Sequence, residues 1–355
     1  MKEIRDILQE IEGLAGGERA VLATVVDLQG SGYRRPGARM LIKANGDSFG
    51  TVSGGCLEAD VMERAKRVLQ SGRSEVFVYD TTADEDSVFS LNMGCRGVLR
   101  ILLEPVDNDC EIVKALRRAR NERVRSISAV IIGGDDQVAV GTRFFDTDSL
   151  EKFPQAAAEM SRIRVSEQGH ETARYKNDGS SAELAFETLK PPVQVLLLGA
   201  GADAVPLAAA AHALGWQVRV HDHRPAFLNR ERFAEADELI RVDRDATVEL
   251  AADELTAIVV MNHNYERDKA SLFSALHSDA FYVGALGPKK RTQQILDELN
   301  DEFDVSRMRS PAGLDIGADT PEAIAIAIIA EIQCVLKSRD GGPLRERNAP
   351  IYDRK

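Results

Sequence analysis

Several groups of residues in this chain have types and spacings suited to chemistry. The run Gly199-Ala200-Gly201-Ala202-Asp203-Ala204 follows an apolar segment and opens a helical pattern, the setting that a G-x-G-x-x-G/A phosphate loop requires. Gly199 permits the tight turn, Gly201 lets a phosphate approach the backbone, and Ala204 allows close helix–strand packing. Asp203 shares the turn, and the free N–H groups and dipole of the helix attract an anion. An acid is expected at the end of the next strand to bind a ribose hydroxyl, and Asp222 stands there. Its neighbour Arg224 suits an additional phosphate instead. His263, in Met261-Asn262-His263-Asn264, lies at the end of a later strand, where open α/β sheets bind ligands. Acid–base or ligand-binding work and a structural histidine beside an Asn264 helix cap both remain open for it. Lys289, Lys290 and Arg291 follow Gly287-Pro288. Cations at a helix start, where acids are usual, favour an anionic ligand.

The N-terminal half carries a second set. Arg34 and Arg35 sit in the glycine-flanked loop Gly30-Ser31-Gly32-Tyr33-Arg34-Arg35-Pro36-Gly37, and guanidinium groups recognise phosphate in a bidentate manner. Cys56 ends Thr51-Val52-Ser53-Gly54-Gly55-Cys56 at an expected helix start, a position that activates a thiol. Cys95 lies in Gly94-Cys95-Arg96-Gly97. A buried, inert thiol is the alternative for each. Neither loop has the ligand spacing of a zinc site.

These residues need two kinds of scaffold. Strands are expected at 193–198, 217–221, 238–241, 257–261 and 281–285, with helices between them, the clearest at 202–214 and 266–277. That alternation implies a parallel sheet with right-handed crossovers, an α/β, Rossmann-like C-terminal domain spanning 191–355. Pro191-Pro192 makes a stiff boundary. Before it, residues 1–190 read as a mixed α+β domain. A surface helix begins the chain, strands fall at 20–26, 39–43, 75–79 and 97–103, and a helix lies at 57–69. Further on come a helix at 111–120, strands at 126–132 and 137–145, and a polar segment at 170–181 that reads as a loop.

Composition narrows the class. The 355 residues are 44% hydrophobic and 29% charged, with a net charge of -12, which argues against a dedicated nucleic-acid binder. Four cysteines without a C-x-x-C pair point to reduced thiols in a cytoplasmic protein. Charges stand where a signal peptide needs an apolar region. The most apolar stretch, at 323–336, is too short to cross a bilayer and contains Glu331, so no membrane partner is expected.

Taken in order, the segments 30–40, 50–58 and 94–105, then 199–207, 262–268, 283–291 and 313–322, resemble the XdhC/CoxI family of accessory proteins for xanthine dehydrogenase and related molybdenum hydroxylases. The resemblance runs over almost the whole chain. Three positions depart from the family pattern. Ala202 stands where histidine is common, Asn262 where threonine is common, and Arg96 where glycine is common. The resemblance implies a chaperone that binds the molybdopterin (molybdenum) cofactor as cargo, favours its sulfurated form and helps insert it into the apo-hydroxylase. Expected partners are apo-xanthine dehydrogenase or a related enzyme, a cysteine desulfurase and a second copy of the chain. Phosphate would lie on the Gly199 turn and at Lys289–Arg291, with the soft thiols Cys56 and Cys95 toward molybdenum or sulfur. An NAD(P)-dependent oxidoreductase is the competing reading. It accounts for the glycine turn and Asp222 but leaves the N-terminal loops unexplained. A ligand-free interaction module is the third.

Overall fold

The computed structural model describes residues 2–80, 97–135, 139–150, 153–166, 169–177, 180–243, 250–299 and 303–349. The chain divides into two compact units, Glu3–Pro191 and Pro192–Lys355.

The first unit holds two antiparallel sheets. One joins β1 (Ala20–Gly30), β2 (Arg39–Lys43), β3 (Ser48–Gly50), β4 (Glu75–Asp80) and β5 (Gly97–Val106) in the order β3-β2-β1-β5-β4. Helix α1 (Lys2–Glu12) buries Ile7, Leu8 and Ile11 against one face, together with α3 (Glu111–Asn121). The amphipathic α2 (Glu58–Ser71) covers the other face with Val61, Ala65 and Val68. Each helix presents one apolar stripe at the 3.6-residue period, so each can bury only one face.

The second sheet orders β6 (Ser126–Gly134), β7 (Arg143–Phe144), β8 (His170–Asn177) and β9 (Ser180–Leu189) as β7-β6-β9-β8, with α4 (Pro154–Ser166) packed on it. Charged pairs tie the two sheets together. Arg143 on β7 is held by Glu104 on β5, and both are more than nine-tenths buried. Arg100 on β5 bonds Glu183 on β9 at 2.9 Å.

Two sequence expectations fail in this unit. The segment 170–181 is strand, not loop: β8 pairs with β9 from His170↔Glu187 to Asn177↔Ser180. Its polar side chains hid the pattern because backbone bonds build the ladder, and only Ala173 and Tyr175 turn inward to the core. The intervening Asp178-Gly179 is, as a sequence, a hairpin-turn dipeptide. The strand expected at 137–145 shrinks to Arg143–Phe144. Gly141, at φ 88°, and the bond from Thr142 N–H to the Ala139 carbonyl break the run with a turn. Residues 137 and 138 lie outside the described residues.

The second unit is a doubly wound sheet. Strands β10 (Gln194–Leu198), β11 (Gln217–Asp222), β12 (Glu238–Arg241), β13 (Thr256–Val260), β14 (Tyr282–Ala285) and β15 (Met308–Arg309) pair in parallel in the order β12-β11-β10-β13-β14-β15. In sequence terms this is 3-2-1-4-5-6, the Rossmann order, which reverses direction between its first and fourth strands. β10 is buried along its length, as a central parallel strand must be. Helices α5 (Ala204–Ala213) and α8 (Pro321–Leu336) pack one face. Helix α6 (Tyr265–Leu276) packs the other, and α7 (Lys289–Leu299) joins it through Ile295. The alanines of α5 bury Ala204, Ala208 and Ala211, so the helix lies close to the sheet. Pro206 falls in its first turn, where a missing N–H costs nothing. Thr320 caps α8, accepting from the Ala323 N–H. No helix among the described residues is long and apolar enough to cross a membrane.

Candidate functional site

The glycine turn sits at the carboxyl end of β10, beside the point where strand order reverses. Gly199 takes φ 124°, and a Cβ there would fall 2.4 Å from the Met261 carbonyl oxygen. No other residue fits between the ends of β10 and β13. Gly201 is open by contrast, since a Cβ would meet only the His263 ring, at 3.5 Å. Asp203 stands at the N-cap of α5 but makes no capping bond. Its carboxylate lies 3.1 Å from His263 Nε2 instead. The first turn of α5 is therefore without a side-chain cap, which leaves its N–H groups to an incoming anion. His263 reaches this place because its backbone is left-handed, at φ 56°. The structure thus joins Gly199, Gly201, Asp203, Ala204 and His263 in one rim. Ala202, where the family pattern commonly has histidine, is exposed on it.

Asp222 and Arg224 do something other than face a ribose. Asp222 is 1% exposed, and one carboxylate oxygen accepts from the Ala200 N–H at 2.7 Å. Arg224 bonds both oxygens, at 3.0 and 2.7 Å, and its backbone N–H adds a third contact at 2.8 Å. Burial pushes this carboxyl up, but the Arg224 guanidinium and the Ala200 N–H outweigh it and hold the pKa at about 2. Asp222 therefore fastens the glycine turn to the end of β11.

Arg232, which no sequence pattern marks, shares this task. It donates to the Ala200 carbonyl at 2.8 Å and the Gly201 carbonyl at 3.1 Å, and its guanidinium lies 5.0 Å from the Phe227 ring centre. Arg232 lies in an irregular segment without periodicity, so only the fold brings it to the turn.

The remaining cations divide. Arg291 pairs with the buried Asp268, which also accepts from the Asn262 backbone N–H (3.0 Å) and side-chain amide (3.2 Å). Asn262 thus has a structural partner of its own, and Asn264 caps α6, accepting from the Arg267 N–H. Lys289 and Lys290 are exposed on the first turn of α7.

In the first unit, Arg34 is paired with Glu3 of α1, and Arg35 is exposed. Cys56 is exposed, just before α2. The N–H groups expected to face its thiol are already taken. The Glu58 carboxylate collects those of Val52, Ser53, Gly54, Gly55 and Leu57 at 2.9–3.2 Å, together with the Thr51 and Ser53 hydroxyls. Burial pushes its pKa up, and the two hydroxyls with the loop N–H groups bring it down to about 2. Gly54 and Gly55, at φ 85° and 116°, let the loop curl round that carboxylate. The Thr51/Ser53-to-Glu58 spacing is the overlooked sequence signal. Cys95 lies outside the described residues. Burial pushes up the thiols of Cys110 and Cys334, with Asp340 and Glu331 adding to the effect at Cys334.

Comparison with known proteins places this geometry. Residues 195–332 match the model of the XdhC Rossmann domain, and residues 14–80 match that of the XdhC and CoxI family. A Bacillus subtilis (strain 168) protein, named as a probable xanthine dehydrogenase subunit, is 31% identical over 320 residues, covering 89% of this chain and 92% of its own. The chain belongs to the XdhC and CoxI family. A second relative, the molybdenum cofactor insertion chaperone PaoD of Escherichia coli (strain K12), is 23% identical over 329 residues, 92% of this chain and 86% of that protein. A crystal structure from Bacillus halodurans, described as a xanthine dehydrogenase, aligns with a TM-score of 0.73 at 26% identity over 98% of each chain. The family's Rossmann domain coincides with the unit that carries the uncapped turn, and the N-terminal match ends within β4, spanning the Glu58 loop and Cys56.

Proposed function

We propose that this chain is a maturation chaperone for a molybdenum hydroxylase such as xanthine dehydrogenase, holding the molybdenum cofactor as cargo until it is inserted. The observation that carries this reading is the open glycine turn before α5, rimmed by His263 and Asp203, in a chain related over most of its length to an insertion chaperone. The cargo offers a phosphate, which the uncapped N–H groups would bind. It also offers a soft metal and sulfur end, which an exposed thiol such as Cys56 suits. A cysteine desulfurase is the fitting sulfur donor, the cytoplasm the fitting compartment, and a second copy of the chain a fitting partner. The dinucleotide oxidoreductase reading has less support, because both Asp222 oxygens are committed to Ala200 and Arg224.

The experiment is to purify the chain from cells making molybdenum cofactor and identify the bound small molecule by absorbance and mass spectrometry. Its ability to activate the apo-hydroxylase is then measured. A bound pterin and activated partner are expected. Tightly bound NADH or NADPH with turnover of a small substrate would overturn the reading.

A further inference from the structure

On the sheet face covered by α6, a pocket of about 340 Å³ opens between that helix and the ends of β10, β11 and β13. Leu198, Val242 and Leu250 supply apolar walls, and His221, Ser271, Ser274 and Asn262 supply polar groups. His221 is 6% exposed, yet neither ring nitrogen has a hydrogen-bond partner. The buried Ser274 hydroxyl has none either. Buried polar groups are almost always paired, so two unpaired ones lining one pocket point to a partner from outside the chain.

The chemistry of the lining narrows that partner. Burial, with Arg219 nearby and only partly offset by Glu238, depresses the His221 pKa to about 4. At neutral pH the ring is therefore uncharged, with one N–H donor and one nitrogen acceptor. Serine hydroxyls serve either way. The Asn262 amide nitrogen already donates to Asp268 and Ser271, which leaves its oxygen as an acceptor. An oxyanion needs donors only. Mixed donors and acceptors between apolar walls match the edge and faces of a nitrogen heterocycle. Among the described residues, Arg267 is the one cationic side chain of the lining, and it donates to the Asp243 carbonyl at 3.2 Å.

The pocket adjoins the glycine turn. Asn262 lines it, and the Asn262 Cα would lie 2.9 Å from a Cβ on Gly199. We propose that this pocket receives the heteroaromatic ring of a phosphate-bearing ligand whose phosphate lies on the turn at 199–204. This deepens the reading above and rests on that turn being an anion site. The ring belongs either to a pterin or to a nucleobase, and the test separates the two.

The test titrates the full chain with guanosine 5′-monophosphate, cytidine 5′-monophosphate, 6-carboxypterin and ribose 5-phosphate, the last having phosphate and ribose without a ring. At least one ring-bearing probe is expected to bind about tenfold more tightly than ribose 5-phosphate. His221→Phe fills the pocket and should remove that advantage while ribose 5-phosphate binds as before. Ser274→Ala, which removes only an unpaired hydroxyl and leaves the fold in place, should reduce it several-fold. A nucleotide preference assigns the ring to a nucleobase, and a carboxypterin preference assigns it to a pterin. Equal binding with and without the ring, no binding by any probe at millimolar concentration, or unchanged ring binding in both variants would overturn the proposal. Failure of partner activation with ring binding intact would sink the chaperone reading alone.

Discussion

At the start of α2, a glycine-bearing turn donates five backbone N–H groups to the Glu58 carboxylate of its own chain. At the start of α5, a glycine turn of similar length spends one N–H on Asp222 and leaves the helix uncapped. Both turns present the positive end of a helix, and both favour an anion there. In the first the anion is built in, and the loop becomes a rigid mount for whatever it displays, here the exposed Cys56. In the second the internal carboxylate lies behind the turn and braces it, with Arg232 bonded to its carbonyls. The outer N–H groups remain available. The same local motif therefore yields a closed structural nest or an open binding site, according to where the nearest carboxylate falls.

The comparison can be broken in order of expected effect. Gly199→Ala should cost about 3 kcal/mol, because it adds a strained φ and a carbonyl clash at a position with no room. Denaturant unfolding measures it, and near-wild-type stability would show that the turn relaxes freely. Glu58→Ala should cost about 2 kcal/mol, discounted for water that reaches the vacated loop. It should also speed amide exchange at residues 52–57, and unchanged exchange would remove Glu58 from its place as the loop's anchor.

The same carboxylate makes a pH prediction. Its pKa falls from an ordinary 4.5 to about 2 on folding. Its contribution is therefore full above about pH 4.5 and is lost as pH falls through 2. For a partly open group this amounts to about 1–2 kcal/mol. Wild type and Glu58→Gln should converge in stability across that window, and a constant difference would refute the assignment.

Gly201→Val tests the open turn. The added side chain meets only the His263 ring, so the thermal midpoint should stay near wild type while cargo binding falls about tenfold. Retained binding would place the phosphate elsewhere. The smallest effect concerns the thiols. Cys56 should alkylate several-fold faster than Cys334, whose thiol is pushed up by burial and by Asp340 and Glu331. Cys56→Ser should lower partner activation without unfolding the chain. Equal alkylation rates would mean that the Glu58 mount does not present the thiol.

Much of the second unit was legible because its signals are local. The apolar run 194–198, the glycine turn after it and the alternation of strands with helices all lie within short windows, and parallel strands buried on both faces read as continuous apolar runs. The first unit was harder. Strand β8 looks polar because one side faces water and its ladder is made by backbone, and the truncation of β7 depends on a turn.

By itself, the sequence determined which backbone positions must be glycine-like turns, which segments are buried strands, and which motifs occur in family order, because these depend on neighbours in the chain. Tertiary structure decided what each charged group does. Asp222 and Arg224 satisfy each other beneath the turn, Arg291 goes to Asp268, Arg34 goes to Glu3, and Glu58 fills the nest beside Cys56. A carboxylate or guanidinium carries the same charge wherever it is placed. Whether it binds a ligand or braces a loop depends on which opposite charges and N–H groups the fold brings within about 3 Å, and on how much water is left around them.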